Sequence, residues 1–176
     1  DYKKAYDWYA KSAKAGYTDS FGWLAWAYRF GKGTNIDLEL ARENYIISAN
    51  YGSADSAMAA ARMLILGQGG DTDYYLAEKL LKVAAKDKDT NAINFLGVFY
   101  AKGWSGIYEP DKAFRLVKDA ADRNNVRARY NLGLFYILGI GTDQQEAEGE
   151  KILESLEKYA LTKEDQFLCA SDVFQP

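Results

Sequence analysis

No histidine occurs among the 176 residues, and there is a single cysteine, Cys169. The first absence removes the commonest general base, the commonest zinc ligand and the usual partner of a catalytic serine or cysteine. The second means that no internal disulfide can form, so packing alone must hold the fold. Nothing in the chain calls for a cofactor or a metal. No apolar run approaches the ~20 residues that span a bilayer, so no membrane insertion is expected. A charged start followed by an apolar core, the mark of a signal peptide, is also missing. Because the chain opens on Asp1 and not Met, something upstream is expected to have been removed, and the compartment stays open between periplasmic or secreted and cytoplasmic. Charge of one sign is lacking too. With a net charge of −3 and a pI near 5.1 there is no broad basic surface, which argues against nucleic acid as a partner.

What is present is an ordinary folded composition, 48% hydrophobic and 27% charged, of a length that suits one domain. The chain also repeats. A small residue recurs at Ala25, Ala61, Gly97 and Gly133, and a glycine six residues further on at Gly31, Gly67, Gly103 and Gly139, each at a step of 36. A fixed period of this size predicts an α-solenoid, in which each supersecondary unit buries its apolar face against its neighbours.

Each unit reads as two helices. Helix A carries Leu24-Ala25-x-x-Tyr28, Leu96-Gly97-x-x-Tyr100 and Leu132-Gly133-x-x-Tyr136, and breaks at the glycine that follows. Leucine and tyrosine four apart share a face. A glycine costs ~1 kcal/mol inside a helix, so its return at one slot implies that a neighbouring backbone comes close. The terminal glycine suits a left-handed cap. Helix B carries paired alanines at Ala5/Ala13, Ala41/Ala49, Ala77/Ala85 and Ala113/Ala121. Four residues before each first alanine, and again at 145, stand Asp1, Asp37, Asp73, Glu109 and Gln145, placed to cap or complement the helix amino end. Turns such as Gly31-Lys-Gly-Thr-Asn-Ile have the length expected between antiparallel helices.

The whole phrase, closed by Ala13-Lys-Ala-Gly16 and Ala49-Asn-Tyr-Gly52, resembles the Sel1-like repeat, a relative of the tetratricopeptide repeat. The likeness covers nearly all the chain. It departs at Ala60 and Leu64, where leucine and tyrosine are expected, and at Ser105, where the second turn glycine is expected. The resemblance implies an all-α, right-handed solenoid of antiparallel helix pairs. It divides the single domain into a lone helix B at 1–16, full repeats at 17–52, 53–88, 89–124 and 125–160, and a capping helix at 161–176. Some secreted members staple each repeat with two cysteines; this chain resembles the plain branch. Tyr6 stands where later units have Arg42, Glu78 and Glu150, so an upstream helix is expected to cover its face. At the other end Thr162 to Phe174 reads as a worn helix A. Ser171 and Asp172 supply a polar outer face there, and Cys169 takes an inert small-residue slot.

Three clusters suggest chemistry and fall to simpler accounts. Gly31-Lys32-Gly33-Thr34 lacks the spacing of a phosphate loop and no strand precedes it. Asp71-Thr72-Asp73 lacks the later glycine and glutamate of a calcium-binding hand and suits a helix cap. Glu146, Glu148, Glu150, Glu154 and Glu157 read as a solvated helix face. In tetratricopeptide-like repeats, helix A positions three before, one after and four after the small slot line a concave groove. Here those are Gly22, Trp26 and Arg29; Met58, Arg62 and Ile65; Asn94, Val98 and Ala101; Tyr130, Leu134 and Ile137. Curvature can bury some of them against the adjacent helix. The expected partner site is Trp26, Arg29, Met58, Arg62, Asn94, Val98, Tyr130 and Leu134, in a non-catalytic adaptor that holds a peptide or protein. Trp26, Tyr130 and Val98 would give apolar contact, and Arg29 and Arg62 would receive a carboxylate. Two alternatives come from the resemblance alone: neutralising a co-encoded toxin as a bacterial immunity protein, and cell-wall or β-lactam chemistry. The second is disfavoured by the missing histidine, paired cysteines and nucleophile.

Overall fold

The computed structural model describes residues 1–86 and 88–156, and among these it forms nine α-helices and no strand. The helices are α1 (Tyr2–Lys14), α2 (Asp19–Phe30), α3 (Leu38–Asn50), α4 (Ala54–Ile65), α5 (Tyr74–Lys86), α6 (Thr90–Ala101), α7 (Pro110–Asp122), α8 (Val126–Leu138) and α9 (Glu146–Glu154). Odd numbers are B helices and even numbers are A helices. This is an all-α repeat fold, divided into two compact units, Asp1–Ala84 and Ala85–Pro176. The expected capping helix with Leu168, Cys169, Ser171 and Asp172, and Glu157, lie outside the described residues.

The repeat's punctuation is made of hydrogen bonds. Asp1 Oδ1 accepts from Lys3 N and Lys4 N, Asp37 Oδ1 from Leu40 N and Asp73 Oδ1 from Leu76 N, so the aspartates cap their helices. Glu109 and Gln145 occupy the same slot but make no side-chain cap, and Glu109 instead pairs with Lys112. A helices end alike. The amides of Lys32, Gln68, Trp104 and Ile140 donate to carbonyls of Ala27, Met63, Phe99 and Phe135, a Schellman closure repeated at 36 residues. The amides of Asp37, Asp73, Glu109 and Gln145 then donate to carbonyls of Tyr28, Leu64, Tyr100 and Tyr136, tying each new B helix to the preceding A helix.

The second turn glycine has a separate cause. A Cβ on Gly33 would collide with the carbonyl of Tyr2, one on Gly69 with that of Leu38 and one on Gly141 with that of Pro110. Each turn therefore lies directly on the first residue of an earlier B helix. At the exception, Ser105 Oγ donates to the carbonyl of Ile107 at 2.9 Å, and the positive φ passes to Gly106, which has open space around it.

Packing follows the small slots. Ala41, Ala49 and Ala77 are buried in the first unit, and Ala113 and Ala121 in the second. A Cβ on Gly97 would lie 2.7 Å from Val117 Cγ2, and one on Gly133 2.9 Å from Leu153 Cδ2, so these helices touch through missing side chains. Tyr6 packs forward, onto α2: its ring meets that of Tyr28 edge-on at 5.7 Å, and the two phenol oxygens share a hydrogen bond at 2.9 Å. Phe114 and Tyr136 repeat this contact in the second unit at 5.6 Å. Burial and the bond to Tyr6 push the Tyr28 phenol up to about 12.

Candidate functional site

An open groove of about 570 Å³ lies in the first unit. Its walls come from one face of α2 (Thr18, Asp19, Gly22, Trp23, Trp26), the C-terminal half of α3 with its turn (Tyr45, Ser48, Tyr51, Gly52, Ser53) and the first turns of α4 (Asp55, Ser56, Ala59). Asp19, Trp23 and Trp26 stand four and three apart along α2, as do Asp55, Ala59 and Arg62 along α4. These are single stripes of a 3.6-residue helix.

Aromatic rings hold the α2 wall rigid. Trp26 is the hub, with Tyr2 at 6.0 Å, Trp23 at 6.4 Å and Phe30 at 5.9 Å, while Trp23 stacks on Tyr9 at 5.6 Å and 10°. Ring pairs in tilted and offset geometry add about 0.5–1.5 kcal/mol each beyond area burial. Even so, Trp23 remains 54% exposed and Tyr51 65% exposed. Large apolar rings fixed in place yet open to water are the surfaces on which binding energy concentrates.

Serine hydroxyls line the floor. Ser53 Oγ donates to Ser56 Oγ at 3.0 Å and Ser56 Oγ to Ser48 Oγ at 2.8 Å. The three hydroxyls form a continuous hydrogen-bonded chain. Asp19 and Asp55 stand in the first turns of α2 and α4, where the helix dipole favours their charge.

Two positions beside the groove carry smaller residues than their counterparts in the second unit, and a Cβ on Gly22 would already lie 3.1 Å from Ser56 Oγ and 3.2 Å from Ser48 Oγ. Moving 72 residues along the chain, Gly22 and Ala59 become Asn94 and Asn131. In the second unit Asn131 Nδ2 donates to Asn94 Oδ1 at 2.8 Å, both residues are fully buried, and α6 packs on α8. The same place between consecutive A helices is thus filled by two amides in one unit and by a hydrogen and a methyl group in the other.

The eight residues expected on a concave face divide. Trp26, Arg29 and Arg62 are partly exposed in the first unit, and Tyr130 and Leu134 partly exposed in the second. Met58, Asn94 and Val98 are 9%, 0% and 0% exposed, and Ile65 and Ala101 are buried as well, so none of these offers an accessible surface. Two physical reasons account for this. The open stripe is Asp19, Trp23, Trp26 and Phe30 on α2 and Asp55, Ala59 and Arg62 on α4 with Leu66 just beyond it; it shares Trp26 and Arg62 with the expected positions but takes Phe30 and Leu66 in place of the expected Arg29 and Ile65. On α6 every residue from Ala92 to Ala101 is buried, as befits a helix with no charged side chain. Of the residues lining the groove, Trp26 is among the positions expected from the sequence, whereas Trp23, Tyr51, Asp19 and Asp55 are not. Of the rejected clusters, Gly31 is a left-handed helix cap and Asp73 caps α5. Glu146, Glu148, Glu150 and Glu154 are exposed, and no group of three metal-ligating side chains occurs among the described residues.

The model of the Sel1 repeat matches residues 1–17, 23–53, 54–89, 90–125 and 126–155, five segments in the register of the helix pairs. The chain belongs to the Sel1 repeat family. Sel1 repeat proteins are generally interaction scaffolds, and the fold is typically non-catalytic. A Sel1 repeat protein from Oxalobacter formigenes has a similar structure, with a TM-score of 0.80 and 22% identity over 91% of this chain and 66% of its own. A protective antigen of uropathogenic Escherichia coli strains with an SLR fold gives 0.79 and 22%, over 95% of this chain and 36% of its own. A protein from Klebsiella pneumoniae described as carrying Sel1 repeats gives 0.57 and 28%, over 88% and 77%. This chain therefore spans 66% of the first of these Sel1 proteins and 36% of the second. No curated protein matches it in sequence.

Proposed function

We propose that the chain is a non-catalytic interaction scaffold whose first unit receives a short segment of a partner protein in the groove between α2 and α4. The observation that carries this is an exposed Trp23 beside a partly exposed Trp26, both braced by neighbouring rings, at an open cavity of about 570 Å³. Such a volume lies within the ~300–1,000 Å³ of ligand sites, enough for a few residues of a partner. Because Trp23 and Trp26 are already immobilised by Tyr9, Tyr2 and Phe30, little rotamer entropy is lost on binding. The Ser53–Ser56–Ser48 chain and the exposed carboxylates offer hydrogen bonds at the floor and rim.

Within this reading Trp26 keeps its place, Trp23 joins it, and Arg29, Arg62, Tyr130 and Leu134 are accessible residues outside the lining of the groove. Trp23→Ala is the direct test. Its ring is half exposed and stacks only at the surface, so helical circular dichroism should persist, while affinity for the partner should fall at least about tenfold, ~1.4 kcal/mol. Unchanged affinity with an intact helical spectrum would remove the groove as the binding site.

A further inference from the structure

We infer that the segment held in the first-unit groove presents an arginine side chain to it; this rests on the groove being a protein-binding site. The two units share one register, so each slot of the first can be compared with its counterpart 72 residues on. The slot at the start of helix A is occupied by Asp19, Asp55, Asn91 and Arg127. In the second unit its two occupants meet: Arg127 Nη1 donates to Asn91 Oδ1 at 3.1 Å. Asn125 Nδ2 donates to the same oxygen at 2.9 Å and to Thr90 Oγ1 at 3.0 Å. The fold therefore brings a cation from one A helix onto a side-chain oxygen of the preceding one.

In the first unit the same two positions hold carboxylates. Asp19 and Asp55 both line the groove, both are exposed, and no lysine or arginine is among the lining residues. Carboxylates and hydroxyls remain while the cation and the amides are gone: Arg127 has become Asp55, Asn125 has become Ser53, and Asn94 and Asn131 have become Gly22 and Ala59. What fills the place in the second unit, a guanidinium and amide groups, is what an incoming peptide carries on an arginine and its backbone. Two carboxylates facing an unfilled cavity attract a cation. Rings one turn along α2 from Asp19 select among cations. A planar guanidinium pairs bidentately with a carboxylate and stacks on indole, whereas a lysine ammonium is a strongly hydrated point charge that does neither as well.

The test uses the whole 176-residue chain and acetylated, amidated pentapeptides that differ only in a central arginine, citrulline, lysine or glutamate between glycines. Free arginine is added as a control for a small-molecule source. Shifts of the Trp23 and Trp26 indole N–H resonances report binding at the groove. The arginine peptide should bind at least about fivefold more tightly than its neutral citrulline counterpart and than free arginine, and weaken as salt rises. Asp19→Asn with Asp55→Arg installs the second unit's own pair and should abolish the shifts; Asp55→Asn alone, which changes no volume, should weaken them. Equal binding of the arginine and citrulline peptides would overturn the arginine inference while leaving the groove as a peptide site. Tighter binding of the glutamate peptide, or no indole shift with any peptide, would overturn it as well. Loss of partner affinity in Trp23→Ala separately judges the groove itself.

Discussion

Gly16 and Gly33 have nearly the same φ, +89° and +81°, but different neighbours: nothing lies within 4 Å of a Cβ on Gly16, while one on Gly33 would strike the Tyr2 carbonyl. Alanine at Gly16 should cost only the left-handed strain, about 1 kcal/mol. At Gly33 the turn must also lift off α1, and the loss should reach about 3 kcal/mol or more. Urea unfolding of the two variants measures the difference. The Tyr6–Tyr28 pair gives a second residue-scale outcome. Because the Tyr28 phenol is raised from 10.0 to about 12 in the fold, the folded state holds this proton more tightly than the unfolded chain. The contribution to stability is fully present below pH 10 and is lost as pH climbs through 10 towards 12. Urea midpoints at pH 9 and 11.5 should therefore differ more for the parent than for Tyr28→Phe, and identical differences would contradict the shift.

Helices and their ends were largely legible in the sequence because they depend on local chemistry. Aspartate four residues before the alanine slot caps α1, α3 and α5, and the glycine six residues after the small slot turns the chain, as the spacing predicts. One slot is constant in geometry but not in residue. The left-handed position that closes helix B is Gly16, Gly52, Lys88 and Asn124, with φ of 89°, 99°, 61° and 64°. The sequence shows only its two glycines. A lysine side chain lacks the short amide that lets asparagine tolerate this region, so Lys88→Gly should raise stability by about 0.5–1 kcal/mol, with a smaller gain for Asn124→Gly. Chemical denaturation reads both. The candidate binding face was less legible. Tetratricopeptide-like register places Met58, Asn94 and Val98 at the surface, whereas packing buries all three, and α6 is buried from Ala92 to Ala101. The warning lay in α6, where twelve consecutive residues carry no charge.

Across the whole chain, two units built on one register treat the space between consecutive A helices in opposite ways. Asn94 and Asn131 pair there in one, and Gly22 and Ala59 line an open groove with Ser48 and Ser56 in the other. Such a cavity is invisible to a search for recurring residues, because it is made by the slots that fail to recur. It becomes legible only when Gly22, Ala59, Asp19 and Asp55 are set against their counterparts. The central claim is that the partner sits there. A photo-crosslinking amino acid placed at Ala59, inside the groove, and separately at exposed Glu43 on α3, which lines no part of it, tests this most directly when the partner is added. The groove account predicts a crosslink from 59 to one continuous segment of the partner and none from 43. Crosslinking from 43 with none from 59 would contradict it.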